Sequence, residues 1–349
     1  RIYCLIRAES PIQARARIRE KLTEYKLYRT GFSNRIVPVL GDLSEDKFGL
    51  SDAAFNYLAK SVDIIFHNGA WVNHVYPYDM LKAANVGGTH WVLRLATTYK
   101  IKSVRHISIL NNDRVSKQDF QRLANGQTFG YPLSKYAAEK MVQLANRRGI
   151  PVSIYKLGMV SGDEQGISNN KDRICLLIKG CIALNCIPHS DGLAQICSPT
   201  LTPVDFVAKA IVTLFKQSKS INQSFDIVSP RAMQWGELPV AMQAFGYNLE
   251  IVPLSQWQTR LREYQVTNPD CKDTQTLAGL YLDELPFSEK SCFSEELTFD
   301  DSYLPMLETL FKAKVDCPAI DRDLLRTYLG FLVESGFICS PMNALKATQ

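Results

Sequence analysis

Short apolar runs alternate with longer segments of helical spacing along the first two thirds of the chain. The runs fall at 2–6, 36–40, 62–66, 104–110 and 152–157, with a further one at 224–228. Each reads as a strand. Between them, Ser10 and Pro11 read as the N-cap and first turn of a helix reaching about Tyr28, and Ser51 caps a short helix at 52–60. Segments 81–99 and 131–148 carry helical apolar spacing, and Gly149-Ile150-Pro151 stops the second. Further helices are predicted at 172–184 and 204–216. This alternation predicts an α/β fold, a doubly wound parallel sheet with helices on both faces. Residues 161–200, rich in Gly, Asn, Asp, Cys and Ser, form an excursion from the sheet. Residues 229–349 are mostly helical with polar connections, so two domains are expected, 1–228 and 229–349. Residues 268–301 are the least patterned stretch and read as a loop or linker.

Composition narrows the classes. A chain of 349 residues with 46% apolar content is long enough for two ordinary cores. The net charge of +5 is spread without long like-charge blocks, which argues against a nucleic-acid partner. No apolar run approaches the ~18 residues of a membrane span. Residue 1 is Arg, and Ile2-Tyr3-Cys4-Leu5-Ile6 follows at once with no signal-peptide pattern. The nine cysteines form no C-x2-C pair and read as reduced thiols of a cytoplasmic protein; the five histidines form no H-E-x-x-H, so no metal site is expected.

Ligands of a doubly wound sheet bind at the carboxyl ends of its strands. The residues there are Arg7; Gly41, Asp42 and Leu43; His67, Asn68, Gly69 and Ala70; Ser108 leading into Asn111; and Lys156, Leu157 and Gly158. Five successive ends with small or polar residues point to a nucleotide crevice. Singly, each has a plainer reading as a cap, a turn or a solvated end. An acidic residue facing the adenine ribose binds a 2′-hydroxyl, whereas a cation accommodates a 2′-phosphate. Arg7, helped by Arg15 or Arg17, therefore points to NADPH; alternatively, Arg15, Arg17 and Arg19 form a solvated helix face.

Tyr131 and Lys135 open the helix that follows the strand at 104–110, and i, i+4 spacing puts them on one face. A lysine in that place lowers a tyrosine pKa from about 10 toward neutrality, and its ammonium can hold ribose hydroxyls. The bare spacing recurs at Tyr78/Lys82 and Tyr136/Lys140. Position after that strand selects 131/135.

These residues sit in longer words: RIYCLIRAE at 1–9, GDLS at 41–44, HNGAWVN at 67–73, ANVGGT at 84–89, YPLSK at 131–135, NNKDR at 169–173, GCI at 180–182, PVD at 203–205, and CPAID at 317–321 followed by Tyr328 and Ser335-Gly336-Phe337. Together they resemble the thioester reductase domains of nonribosomal peptide and polyketide synthetases and of carboxylic acid and aminoadipate reductases, which are extended short-chain dehydrogenases. The resemblance spans nearly the whole chain. It implies a Rossmann-like fold and reduction by NADPH of an acyl or peptidyl thioester, held on the phosphopantetheine arm of a carrier protein, with release as aldehyde or alcohol. By the same resemblance Tyr131 donates a proton to the developing oxyanion, and Lys135 holds the nicotinamide ribose and tunes Tyr131. Arg7 and Arg17 hold the 2′-phosphate, Asp42 and Leu43 flank adenine, and Asn68, Gly69 and Ala70 line the cofactor. Ser108 belongs to the catalytic set, and Leu157 and Gly158 lie near the nicotinamide. The C-terminal domain shapes the acyl pocket and docks the carrier.

The chain departs from the family in three places. Ile109 stands where the family carries Thr or Ser, with Asn111 as a substitute donor; Lys156-Leu157-Gly158 replaces Arg-Pro-Gly; and the Gly-rich strand–helix unit is not in the sequence. That unit's strand would lie between those at 2–6 and 62–66, so unpaired backbone is expected there. Two other readings stand beside the reductase: a binding or docking module with an impaired centre, and a sugar-nucleotide epimerase or dehydratase of the same superfamily.

Overall fold

A computed structural model describes residues 1–32, 34–73, 75–110, 130–169, 172–198, 200–282 and 302–341. In chain order the elements are β1 (Ile2–Ile6), α1 (Pro11–Glu24), β2 (Ile36–Leu40), α2 (Asp52–Ser61), β3 (Ile64–His67), α3 (Tyr78–Lys82), a π-helical turn (Ala83–Gly87), α4 (Gly88–Thr97), β4 (Ser103–Ile109), α5 (Gly130–Arg147), β5 (Val152–Leu157) and β6 (Val160–Ser161). Then come α6 (Arg173–Ala183), β7 (Cys186–Pro188), α7 (Ser190–Ile196), β8 (Thr202–Pro203), α8 (Val204–Phe215), β9 (Ser224–Ile227), α9 (Glu237–Phe245), β10 (Glu250–Val252), α10 (Leu254–Thr267), α11 (Lys272–Tyr281), α12 (Tyr303–Lys312) and α13 (Arg322–Glu334). This is the α/β fold read from the sequence, a parallel sheet flanked by helices.

Local chemistry sets most boundaries. The Ser10 hydroxyl accepts the Gln13 N–H at 3.2 Å, and Ser51 accepts that of Ala54 at 3.3 Å, the two expected N-caps. The first helix ends at Glu24 rather than near Tyr28, because Tyr25 caps it and Lys26 turns to φ 53°. β3 begins at Ile64 rather than 62, because the Val62 N–H still closes the last turn of α2 on Leu58. The helix expected over 81–99 is three pieces, α3, the π turn and α4. One residue inserted into a helical ladder hardly alters apolar periodicity, so the sequence pattern does not mark it.

The chain divides into two compact units. The first holds residues 1–108, 121–154 and 221–223; the second holds 109–120, 155–220 and 224–349. This groups 155–220 and β9 with the C-terminal helices, whereas the boundary drawn at 228 from the sequence groups them with the strands. In the first unit β1 pairs in parallel with β2, Ile2 opposite Ile36 through Ile6 opposite Leu40. β3 pairs in parallel with β4, from Ile64 opposite Ser103 to His67 opposite His106. β4 is followed in the same sheet by β5. Among the described residues no ladder joins β1 to β3, and Ile2 (54%), Leu5 (36%), Ile64 (39%) and Phe66 (47%) are exposed along these strands. Val104 and Ile154 of β4 and β5 pack with Phe55 and Leu58 of α2, Leu95 of α4 and Val142 of α5 into one core.

The second unit has its own core. Ile174 and Leu177 of α6 and Leu193 of α7 pack with Leu238, Trp257, Leu329 and Leu332 of the later helices. Five cysteines, at 175, 181, 186, 197 and 317, are buried as free thiols, and burial pushes Cys197 up to about 12. Among the described residues there is no metal-holding cluster, and no helix is long and apolar enough to cross a membrane.

Leu177 is fully buried in this second core whereas Leu304 is 74% exposed. Leu177→Ala is expected to cost about 2–5 kcal/mol, and Leu304→Ala within about 0.5 kcal/mol. Urea unfolding monitored by circular dichroism checks both; equal midpoints for the two variants would contradict the packing described.

Candidate active site

The site residues of the first unit gather at the carboxyl ends of its parallel strands. At the end of β1, an Arg7 guanidinium nitrogen lies 3.8 Å from an Asp42 carboxylate oxygen. Arg17 donates from α1 to the Arg7 carbonyl, so Arg17 rather than Arg15 joins this cluster. Burial pushes the Asp42 carboxyl up, but the Ser44 N–H and hydroxyl, at 2.8 and 2.7 Å, together with Arg7, outweigh it and hold it below its ordinary value. The Arg7 side chain stays 74% exposed.

Leu43 fits where two glycines leave room. A Cβ on Gly69 would fall 2.6 Å from the Leu43 side chain, and one on Gly88 would fall 2.9 Å from the Leu43 carbonyl oxygen. The ends of β2 and β3 and the start of α4 thereby meet. Asn68 and Gly69 are exposed and Ala70 half-buried.

Tyr131 and Lys135 lie in the first turns of α5, where Pro132 is tolerated because its missing N–H would have no helical partner. A Cβ on Gly130 would come within 2.4 Å of the backbone at Pro77 and Tyr78, so only glycine fits there. The Lys135 ammonium donates to the Ile107 carbonyl of β4 at 2.6 Å. Burial pulls its pKa down to about 8, with Glu139 opposing. Burial raises the Tyr131 phenol to about 12. For the resting phenol, desolvation outweighs the lowering expected from Lys135, whose ammonium is anchored on Ile107.

A polar network that the sequence reading missed surrounds the pair. Asn85, buried in the π turn, donates to the Ser134 hydroxyl at 2.9 Å and to the Trp71 carbonyl at 3.1 Å, and accepts the Trp71 N–H at 2.6 Å. Ser134 in turn donates to the Tyr131 carbonyl at 2.7 Å. His67 shares a hydrogen bond of 2.8 Å with Thr89, which donates to the Asn85 carbonyl. The His67 and His106 rings lie 5.2 Å apart, and both are buried. Among the described residues neither His106 ring nitrogen has a hydrogen-bond partner. Burial, then the Lys135 charge, lowers His67 to about 3 and His106 well below its ordinary value, so both rings are neutral. The network centres on the π turn, which the sequence pattern does not mark; such turns recur at functional sites.

Ser108 is brought to a different place. Its hydroxyl donates to buried Glu139, which also accepts from Gln143 at 3.0 Å. Glu139 is eight residues beyond Tyr131, about 12 Å along the helix. Leu157 and Gly158 belong to the second unit, where a Cβ on Gly158 would come 2.6 Å from the Thr200 hydroxyl. Asn111 lies outside the described residues.

Residues 1–211 match an NAD-binding family model described as male sterility protein. The crystal structure of the terminal R domain from the myxalamid PKS-NRPS biosynthetic pathway superposes with a TM-score of 0.84 at 34% identity, over 98% of this chain and 86% of that one. The chain belongs to this family of terminal reductase domains. It is also 34% identical over 96% of its length to a linear gramicidin synthase of Brevibacillus parabrevis, and 29% identical over 97% to the L-2-aminoadipate reductase large subunit of Eremothecium gossypii. The chain spans 6% and 26% of those two proteins. The family's cofactor is a nicotinamide dinucleotide, and the donor set fits one: two arginines for phosphate, a lysine for ribose hydroxyls, and an exposed glycine turn for close approach.

Asn85 satisfies three groups at once. Asn85→Ala is expected to lower unfolding stability by about 2–3 kcal/mol, because the Trp71 backbone groups lose their partners. It should also speed hydrogen exchange at the Trp71 amide. Unchanged exchange at that amide would show that the clamp does not hold the loop.

Proposed function

We propose that this reductase domain uses NADPH to release an acyl or peptidyl thioester from a carrier protein's phosphopantetheine arm as an aldehyde or alcohol. The observation that carries the reading is the Lys135 ammonium, fixed on the Ile107 carbonyl one helical turn from Tyr131, at the same strand ends as the Arg7–Asp42 cluster. Membership of a family of synthetase-terminal reductases supports the carrier-bound substrate.

Arg7 and Arg17 hold the 2′-phosphate, Asp42 and Leu43 flank adenine, and Asn68, Gly69 and Ala70 line the cofactor. Lys135 donates to ribose hydroxyls. A bound reduced nicotinamide supplies hydride to the thioester carbonyl carbon. Tyr131 keeps its proton across the physiological range, because burial raises its pKa to about 12. It gives that proton to the carbonyl oxygen as negative charge develops there, since an alkoxide is the stronger base, leaving a hemithioacetal. The C–S bond then breaks, and the hydroxyl proton passes through Tyr131 to the departing pantetheine thiolate. Aldehyde and free thiol are released, a second NADPH being consumed where the product is alcohol. The Lys135 charge nearby favours the phenolate left behind. Ser108 has a positioning role, holding β4 to α5 through Glu139.

The pH dependence follows from Lys135. Its folded pKa of about 8 lies below its ordinary 10.5, so the ammonium persists below about pH 8 and is lost above it. By linkage, the cost of burying it is felt in full below about pH 8 and lifts as pH rises to 10.5.

Purified full-length protein with acyl-pantetheine thioester and NADPH should form aldehyde or alcohol. Tyr131→Phe should lower kcat by about 10²–10³-fold. kcat/KM should fall above about pH 8, and Lys135→Arg should move that limb upward. Arg7→Ala should raise KM for NADPH more than for NADH. NADPH consumption unaffected by Tyr131→Phe, or no product with any thioester, would reject the reading in favour of a docking module.

A further inference from the structure

The loop after β3 exposes a group of apolar side chains beside the candidate centre. Trp71 is 42% exposed, Val72 57% and Tyr76 39%. The Trp71 and Tyr76 rings meet edge to face, centroids 5.7 Å apart at 86°. Apolar side chains scattered over a surface need no explanation, but these lie together on a loop whose backbone is pinned. Asn85 binds both backbone polar groups of Trp71. The Asn73 carboxamide oxygen accepts the Val75 and Tyr76 N–H groups at 2.9 and 2.8 Å. The Asn85 amide and the Asn73 oxygen are thus engaged with the loop's own backbone, and the exposed side chains at 71, 72 and 76 are mainly hydrocarbon and aromatic ring.

Two independent contacts place this face next to Tyr131. The Asn85 amide that holds Trp71 also donates to Ser134, which donates to the Tyr131 carbonyl. At the other end of the loop, a Cβ on Gly130 would approach the Tyr76 carbonyl oxygen to 2.5 Å. The backbone that carries Trp71 and Tyr76 is therefore held against the backbone that carries Tyr131.

We infer that Trp71, Val72 and Tyr76 form a shelf for the apolar acyl chain of the thioester, and that they set the preference for chain length. The inference rests on the reductase reading of Tyr131 and Lys135. The acyl chain is the fitting occupant. A pantetheine arm carries amides that need polar partners, whereas the exposed surface of Trp71, Val72 and Tyr76 is mainly hydrocarbon and ring.

Full-length protein, NADPH and a series of straight-chain acyl-pantetheines from acetyl to octanoyl test it. A shelf covers one side of a chain, so kcat/KM should rise about twofold per methylene, the fold-change equal to half of the ~0.8 kcal/mol of a fully buried methylene. The octanoyl-to-acetyl ratio should then be about sixtyfold, should fall below about tenfold in Trp71→Ala, and should be largely restored in Trp71→Phe. An unchanged ratio in Trp71→Ala overturns the shelf. So does an equal loss for acetyl and octanoyl groups delivered on a carrier protein, which would mark the face as a docking surface. Failure of every thioester to react counts against the reductase reading instead. The shelf is then decided by binding of the non-reducible thioether S-octyl-pantetheine. A blue shift of tryptophan emission that is lost in Trp71→Phe supports it, and no shift overturns it.

Discussion

One side-chain amide holds the candidate centre in register. Asn85 reaches the loop after β3 through both backbone groups of Trp71, and reaches α5 through Ser134. The strand end that lines the cofactor crevice and the helix that carries Tyr131 and Lys135 are thereby tied to one residue in a π turn. A regular helix over 78–97 would turn residue 85 through a different angle, so the inserted residue and the clamp belong together. With the clamp in place, Gly130 passes against Pro77 and Tyr78 closely enough to exclude any side chain.

The electrostatics follow from that packing. Lys135 is buried beside two histidines that burial keeps neutral, so its ammonium has no cationic neighbour there. It takes the Ile107 carbonyl as a partner, and its pKa falls to about 8. The same desolvation raises Tyr131. The pair therefore consists of a neutral acid and a cation whose charge is retained up to mildly alkaline pH. In the proposed reaction it acts by stabilising the phenolate only once the proton has left.

Much of this was legible in the sequence. Strand ends are marked by a change from apolar to small or polar residues, so Arg7, Asp42, Asn68 and Gly69 were identified from position alone. The spacing is the same in all three pairs, but Tyr78/Lys82 follows another strand and Tyr136/Lys140, five residues further along α5, faces about 140° away, so Tyr131 and Lys135 stand out. Other features depend on contacts between segments far apart in the chain. The choice of Arg17 over Arg15 turns on where one guanidinium reaches. The direction of the Tyr131 shift turns on how deeply α5 is buried. Strand parity separated Ser108 from Ile109, but only the packing of β4 on α5 supplies Glu139 as its partner. His67 and His106 looked like isolated histidines because they are adjacent across two strands and 39 residues apart in the chain.

The central claim is that hydride from the nicotinamide reaches the thioester carbonyl carbon at the Tyr131–Lys135 centre. NADPH deuterated at the transferred C4 position, incubated with full-length protein and octanoyl-pantetheine, tests it most directly by mass spectrometry of the product. The account predicts octanal bearing one deuterium at C1, or octanol bearing two, with the label absent from product when Tyr131→Phe replaces the wild type over the same time. Free octanoic acid as the only product, or an aldehyde without deuterium, would contradict it.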